Sequence, residues 1–155
     1  MAQAVVTQRR LAAVLSADAA GYTKLMAADE EATLATLNDY RNVMSGMVVN
    51  HGGRVVDMVG DNLLAEFPSA VDAVRCALLI QDRLADRNRE AEETRRMRFR
   101  IGIHIGDLIV DGDRIVGDGV NIAARIESMA PPGGVAMSQA VLDQVAGKLP
   151  IAVQD

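Results

Sequence analysis

Two acidic residues, Asp18 and Asp61, lie where a chain of this pattern could bind metal and phosphate. Asp18 directly follows an apolar run that predicts a buried strand, and Asp61 lies in Gly60-Asp61-Asn62 between two apolar runs. Gly with Asp or Asn between such runs is typical of a hairpin turn. Asp61 is also explained as an ordinary turn residue, because Asp forms local hydrogen bonds in turns.

A second acid gives Asp61 a functional interpretation. If the first strand and the hairpin are neighbours in one sheet, both carboxylates lie at the same end, where they repel each other unless a cation lies between them. Two acids with few other ligands suit Mg²⁺ or Mn²⁺. Beside them, the backbone of Ala19, Ala20, Gly21 and Tyr22 precedes a predicted helix and could offer N–H groups to a phosphate.

The second candidate group is Asn121 with Arg125, which lie four residues apart and share one face of a predicted helix. Near a metal and phosphate site they would form a positive fork for charge that develops during phosphoryl transfer. The alternative is structural: Asn121 begins the helix, and Arg125 forms a surface ion pair with Glu127 or another acid.

Composition limits the possible functions of the chain. The 155 residues predict one domain, and a net charge of −5 with a pI near 5.0 argues against a nucleic-acid partner. Cys76 is the single cysteine and is expected to be a buried thiol in a protein of the reducing cytoplasm. No apolar run is long enough to span a membrane.

The order of predicted elements indicates a ferredoxin-like α+β sandwich with a mainly antiparallel sheet and helices on one face. The alternation from Met97 to Val110 predicts a half-exposed strand that turns at Gly106-Asp107. On that strand, His104 is either a ligand or base, or an ordinary surface residue. Residues 149 to 153 could form a last strand.

From about Arg10 onward, the chain resembles the catalytic domain of class III adenylyl and guanylyl cyclases of the bacterial type. Four ordered motifs support the resemblance: Asp18-Ala19-Ala20-Gly21-Tyr22, His51-Gly52-Gly53-Arg54-Val55-Val56 leading into Gly60-Asp61, Arg100-Ile101-Gly102-Ile103-His104-Ile105-Gly106-Asp107, and Gly117-Asp118-Gly119-Val120-Asn121-Ile122-Ala123-Ala124-Arg125. The resemblance implies one cyclase domain over residues 1–155, without the family's C-terminal hairpin.

The resemblance also implies roles for individual residues. Asp18, Asp61 and the Ala19 carbonyl would hold two Mg²⁺ or Mn²⁺ ions per active site. Asn121 would orient the ribose of a nucleoside triphosphate, and Arg125 would stabilise the transition state. In the family these groups meet across a head-to-tail homodimer, so a single chain is expected to be inactive.

Two departures concern the base of the nucleotide. Asp57 stands where adenylyl cyclases of this family have a base-reading lysine, and Arg114 replaces its usual Asp or Thr partner. An acid and an arginine can pair with guanine, uracil or adenine, so the substrate stays open. Asp57 and Arg114 could instead form a salt bridge across the dimer.

Further departures are Ser16 in place of an aromatic residue, Asp107 where some relatives have arginine, and the absence of the terminal hairpin with its triphosphate-binding lysine.

The function that the resemblance implies is a nucleotidyl cyclase with ATP as the default substrate. GTP or a pyrimidine triphosphate is an alternative. A different alternative is a degenerate domain that binds nucleotide or dimerises to regulate a fused module.

Overall fold

The computed structural model describes residues 8 to 154, which form a six-stranded sheet covered by helices. The strands are β1 (Gln8–Ala19), β2 (Arg54–Asp57), β3 (Leu63–Phe67), β4 (Phe99–Asp111), β5 (Arg114–Val116) and β6 (Val135–Met137). The helices are α1 (Tyr22–Ala28), α2 (Glu30–Asn50), α3 (Ala70–Glu90), α4 (Asp118–Met129) and α5 (Gln139–Val145). The strand order β2-β3-β1-β4-β5 is antiparallel throughout, and β6 pairs parallel with β4. This is the predicted α+β sandwich.

The main core lies between one face of the sheet and the helices α2, α3 and α5. Alternate residues of β1 point into it, because successive side chains of a strand face opposite sides. The largest fully buried side chains in this core include Leu15, Leu37, Met44, Phe67, Ile80, Phe99 and Ile101. Cys76 is fully buried here as predicted, and burial raises the pKa of its thiol to about 12, so it is unreactive at neutral pH.

Helix α4 lies on the opposite face of the sheet, whereas the sequence predicted all helices on one face. It packs with Ala12, Val14 and Leu108 in a smaller second core. Gly102 makes this possible, because a Cβ there would lie 2.2 Å from the backbone nitrogen of Glu127. On the face of β4 that contains Arg100, Gly102 and His104, α4 therefore covers Gly102, while Arg100 and His104 stay half-buried.

Two predicted features differ in the structure. Strand β4 does not turn at Gly106-Asp107, because both residues continue the ladder with β1, opposite Ala12 and Leu11. Residues 149 to 153 form no strand, and they include Pro150, which has no N–H to donate to a ladder. Leu149 and Ile151 nevertheless pack against the main core.

The two long helices are held by caps and by one buried polar link. Asp29 caps α2 by accepting from the N–H of Ala32, and Ser69 caps α3 by accepting from the N–H of Asp72. The Tyr40 hydroxyl of α2 donates to Asn88 of α3 over 2.6 Å. Within the described residues, no helix is long and apolar enough to cross a membrane.

Candidate active site

The two acids lie at the same end of the sheet. Asp18 is the second-last residue of β1, opposite Arg100 of β4, so it lies within the strand and not in the loop that follows. Strand β3 begins with Leu63 opposite Ala17, which places the preceding turn beside the end of β1. There Asp61 accepts a hydrogen bond of 3.0 Å from the N–H of Ala19.

The turn that contains Asp61 is longer than predicted but well anchored. Strand β2 ends at Asp57, and residues 58 to 62 connect it to β3, with Gly60 at a φ of 59°. The amide of Asn62 donates to the Ser16 hydroxyl over 3.1 Å and to the Ala17 carbonyl over 3.2 Å. Asn62 therefore fastens the turn to β1 and fixes the position of its neighbour Asp61.

A third carboxyl group, that of Glu127 in α4, lies against Asp18. Burial raises the pKa of Glu127 to about 8, and a hydrogen bond with Asp18 and the charges of Asp18 and Asp61 add to this rise. Burial also raises the pKa of Asp18, opposed by the hydrogen bond with Glu127, while the charge of Asp61 adds to the rise and that of Arg100 opposes it. Glu127 therefore gives up its proton less readily than an exposed glutamate would.

The oxygen atoms at this end of the sheet suit a hard divalent cation. Asp18 and Asp61 are close enough for each negative charge to be unfavourable to the other, and a cation between them would remove that cost. Across residues 8 to 154, no group of three His, Cys, Asp or Glu side chains could hold an ion by itself. A two-acid site of this kind fits Mg²⁺ or Mn²⁺, which complete their coordination with water and phosphate.

Asn121 and Arg125 do not meet the acids within one chain. Both side chains are exposed on α4. The suggested ion pair between Arg125 and Glu127 is absent from the described residues, because Glu127 is buried, with 4% of its surface exposed, on the other side of the helix. The positively charged side chain that lowers the pKa of Asp18 is that of Arg100.

Asn121 lies beside the two residues that were expected to contact the base. Asp57, at the end of β2, and Arg114, at the start of β5, line one open cavity of about 390 Å³ together with Asn121. Asp57 and Arg114 form no ion pair with each other in the described chain. Both are therefore free to contact a ligand in this cavity.

The loop after β1 offers fewer N–H groups than predicted. The N–H of Ala20 donates to the Arg98 carbonyl over 2.8 Å, and that of Ala19 donates to Asp61. Neither of these two groups is available to a phosphate. Gly21, at a φ of 66°, and Tyr22, which begins α1, are the remaining members of the predicted phosphate-binding segment.

Sequence reasoning missed Arg100 and Glu127 at this site. The alternation of β4 indicates a half-exposed strand but does not reveal which helix packs beside Arg100. Glu127 was considered only as a surface partner of Arg125. The one sequence signal was the spacing of Gly119, Ala123 and Glu127 at intervals of four, which are the buried residues of α4.

Comparisons with known proteins agree on one family. Residues 5–151 match the family described as adenylate and guanylate cyclase catalytic domain. The chain is 45% identical over 149 residues to putative adenylate cyclase 3 of Rhizobium meliloti (strain 1021), covering 96% of this chain and 25% of that protein. It thus spans about a quarter of that relative's length.

Two solved structures are similar to the whole fold. The adenylate/guanylate cyclase/hydrolase from Silicibacter pomeroyi matches with a TM-score of 0.90 and 36% identity, covering 97% of this chain and 88% of that one. The guanylyl cyclase Cya2 matches with a TM-score of 0.81 and 25% identity, covering 96% and 89% of the two chains.

Proposed function

This chain belongs to the class III adenylate and guanylate cyclase catalytic domain family, and from that premise we propose that it is a nucleotidyl cyclase acting as a head-to-tail homodimer. The reaction converts a nucleoside triphosphate to its 3′,5′-cyclic monophosphate and pyrophosphate. One observation supports the dimer most directly: Asp18 and Asp61 converge, while Asn121 and Arg125 lie exposed on α4. A second chain is needed to bring the two pairs together.

The acids of one chain would form the metal half of the site. Asp18, Asp61 and the Ala19 carbonyl would hold two Mg²⁺ or Mn²⁺ ions. When bound, these ions neutralise phosphate charge, help to deprotonate the 3′-hydroxyl and stabilise the leaving pyrophosphate. The N–H groups of Gly21 and Tyr22 would bind phosphate oxygens at the start of α1.

The partner chain would supply the other half from α4. Its Asn121 amide would hydrogen-bond the ribose and set the 3′-oxygen in line with the α-phosphorus. Its Arg125 guanidinium would stabilise the charge that builds up on the α-phosphate while the new P–O bond forms and the bond to pyrophosphate breaks. Both residues are exposed in the single chain, as this arrangement requires.

The base would lie in the cavity lined by Asp57 and Arg114. ATP is the default substrate, and the similar protein of Rhizobium meliloti is named a putative adenylate cyclase. The cavity also favours a second candidate, because Asp57 can accept from a ring N–H while Arg114 donates to a carbonyl oxygen, as in guanine or uracil. GTP and UTP are therefore alternatives to ATP as the substrate.

A product assay tests the reaction. The protein is incubated with Mn²⁺ and each of ATP, GTP, CTP and UTP, and any cyclic product is identified by mass. We expect product from at least one triphosphate and a loss of about a thousandfold in Asp18→Ala, since metal stabilisation of transition-state charge is worth several kcal/mol. Asp82→Ala, which removes an exposed acid of α3, is the matched control and should behave as the parent.

Two results would contradict the proposals separately. If no triphosphate gives a product and Asp18→Ala equals the parent, the domain is not a cyclase but a degenerate relative. If Asp57→Lys with Arg114→Asp leaves the preference among the four triphosphates unchanged, those residues do not select the base.

A further inference from the structure

The cavity proposed for the base lies between the two edges of the sheet. Strands β2 and β5 end the antiparallel path at opposite edges, with three strands between them. Asp57 of β2 and Arg114 of β5 nevertheless line the same cavity of about 390 Å³. The distance between these two residues therefore depends on the curvature of the sheet, and a site that selects one base needs that distance to be fixed.

A β-bulge in β2 turns Asp57 towards this cavity. In the register of β2 with β3, Arg54 lies opposite Glu66. Three residues further along, Asp57 lies opposite Leu64, which is only two residues from Glu66. Opposite residues of an antiparallel pair face the same side, and so do residues two apart in one strand. The extra residue in β2, Val56, therefore puts Arg54 and Asp57 on one face.

Arg54 links this face of β2 to the other edge of the sheet. Its Nε donates to Oε1 of Glu66 over 2.6 Å, and its Nη1 donates to the carbonyl of Asp113 over 3.3 Å. Asp113 directly precedes Arg114 in the turn between β4 and β5. Within residues 8 to 154, no other hydrogen bond joins β2 to this turn.

Glu66 gives the guanidinium of Arg54 a rigid support. The Glu66 side chain is 7% exposed, and the same oxygen also pairs with Arg10 of β1. Because a guanidinium is planar, a hydrogen bond at Nε also fixes the direction of Nη1. The carboxylate thus aims Arg54 at the Asp113 carbonyl. In the described chain Arg10 makes no hydrogen bond to that turn.

We propose that Arg54 is a positioning residue for substrate selection: its guanidinium, supported by Glu66, holds the turn before Arg114 and so sets the distance between Arg114 and Asp57. A base that presents both a ring N–H and a carbonyl oxygen at that distance contacts the two residues together. A base that matches only one of them binds less well. This inference rests on the proposed cyclase and its base cavity.

Two variants separate this role from general stabilisation. In Arg54→Lys the ammonium can still pair with Glu66, but it lacks the planar fork that reaches the Asp113 carbonyl at the same time. Arg10→Ala is the matched control, because it removes the other ion pair of Glu66 and leaves the turn as it is. Circular dichroism and urea denaturation give the fold and the stability of each variant.

Steady-state kinetics with Mn²⁺ and each of ATP, GTP, CTP and UTP measures substrate selection. In Arg54→Lys, KM for the preferred triphosphate should rise about tenfold, the worth of one hydrogen bond, while kcat changes less than KM. The ratio of kcat/KM between the preferred triphosphate and the next one should fall. Arg10→Ala should keep the parent's KM and this ratio, although it lowers the free energy of unfolding.

A second readout needs no catalysis. Hydrogen exchange followed by mass spectrometry reports how often the backbone of a segment opens. In Arg54→Lys, the amides of residues 112 to 116 should exchange about tenfold faster than in the parent, because the turn has lost one hydrogen bond. In Arg10→Ala the exchange of these amides should match the parent.

Three results would overturn the inference: parental KM and substrate preference in Arg54→Lys, parental exchange in Arg54→Lys, or changes in Arg10→Ala as large as those in Arg54→Lys. Failure of the proposed function looks different. If the parent is inactive, the cyclase proposal fails, while the exchange comparison still decides whether Arg54 holds the turn. If Asp57→Lys with Arg114→Asp leaves the substrate preference unchanged, the base cavity is wrong and this inference fails with it.

Discussion

The pKa values of individual polar residues in this domain depend on how far each residue is buried. Glu127 and Asp18 have raised pKa values chiefly because they are buried, whereas the pKa of exposed Asp39 is lowered by its hydrogen bond from Arg87. His104 is half-buried. Its Nδ1 lies 2.9 Å from the Ser138 hydroxyl, and burial lowers its pKa.

The pKa of His104 gives a pH prediction. A histidine titrates near pH 6.5 when unfolded, and the folded chain binds that proton less well. Stability should therefore fall as pH drops below about 6.5 and level off below the folded pKa. In His104→Gln, which cannot titrate, the fall in melting temperature from pH 7.5 to 5.5 should be smaller than in the parent. Equal falls in both proteins would contradict this.

At this scale the sequence identified Asp18, Asp61, Asn121 and Arg125 as candidates, since each lies in a recognisable motif. It did not identify Glu127 as a neighbour of Asp18. That contact depends on how closely α4 approaches β4, and nothing local to Glu127 specifies this distance.

Among the elements, α4 is the one whose packing position is hardest to predict from the sequence. Its buried stripe consists of Gly119, Ala123 and Glu127, which lack the large apolar side chains that identify a packed helix face. The sequence predicts a helix that contains Asn121 and Arg125, but places it on the same face of the sheet as the other helices. The close approach at Gly102 holds it on the opposite face.

This close approach can be tested by adding one methyl group. Gly102→Ala should lower the free energy of unfolding by about 3 kcal/mol, because its Cβ meets backbone atoms that cannot rotate away. Cyclase activity should fall with it, since α4 must shift. Urea denaturation measures the first effect.

Gly46→Ala is the matched control. Gly46 lies exposed in α2, and an added Cβ would meet nothing within 4 Å. Alanine favours the helix by about 1 kcal/mol over glycine, so this variant should be more stable than the parent. If Gly102→Ala is as stable as Gly46→Ala, the described packing of α4 is wrong.

For the whole molecule, the proposed function implies that one chain contributes two half-sites that face different directions. The acids converge at the end of the sheet, while Asn121 shares its cavity with Asp57 and Arg114.

Fold class and the order of most elements could be predicted from periodicity. The pairing of β1 with β4 along its full length could not, because register between distant strands has no local signal.

A composite site predicts that activity depends on protein concentration. When the protein is diluted below the dissociation constant of the dimer, specific activity should fall towards zero, because each monomer lacks half of the site. Sedimentation over the same concentrations should show dimer loss in parallel. A specific activity that stays constant while the dimer dissociates would mean that one chain contains a whole site.

The two acids are also held in place by different means. Asp18 lies near the end of a long strand, where its backbone pairs with Arg100 of β4. Asp61 lies on a turn whose outer side is held by an exposed hydrogen bond of 2.7 Å from Arg41 to the Gly60 carbonyl. Both acids are thus held by the backbone before an ion arrives, so the conformational entropy lost when the proposed ion binds would be small.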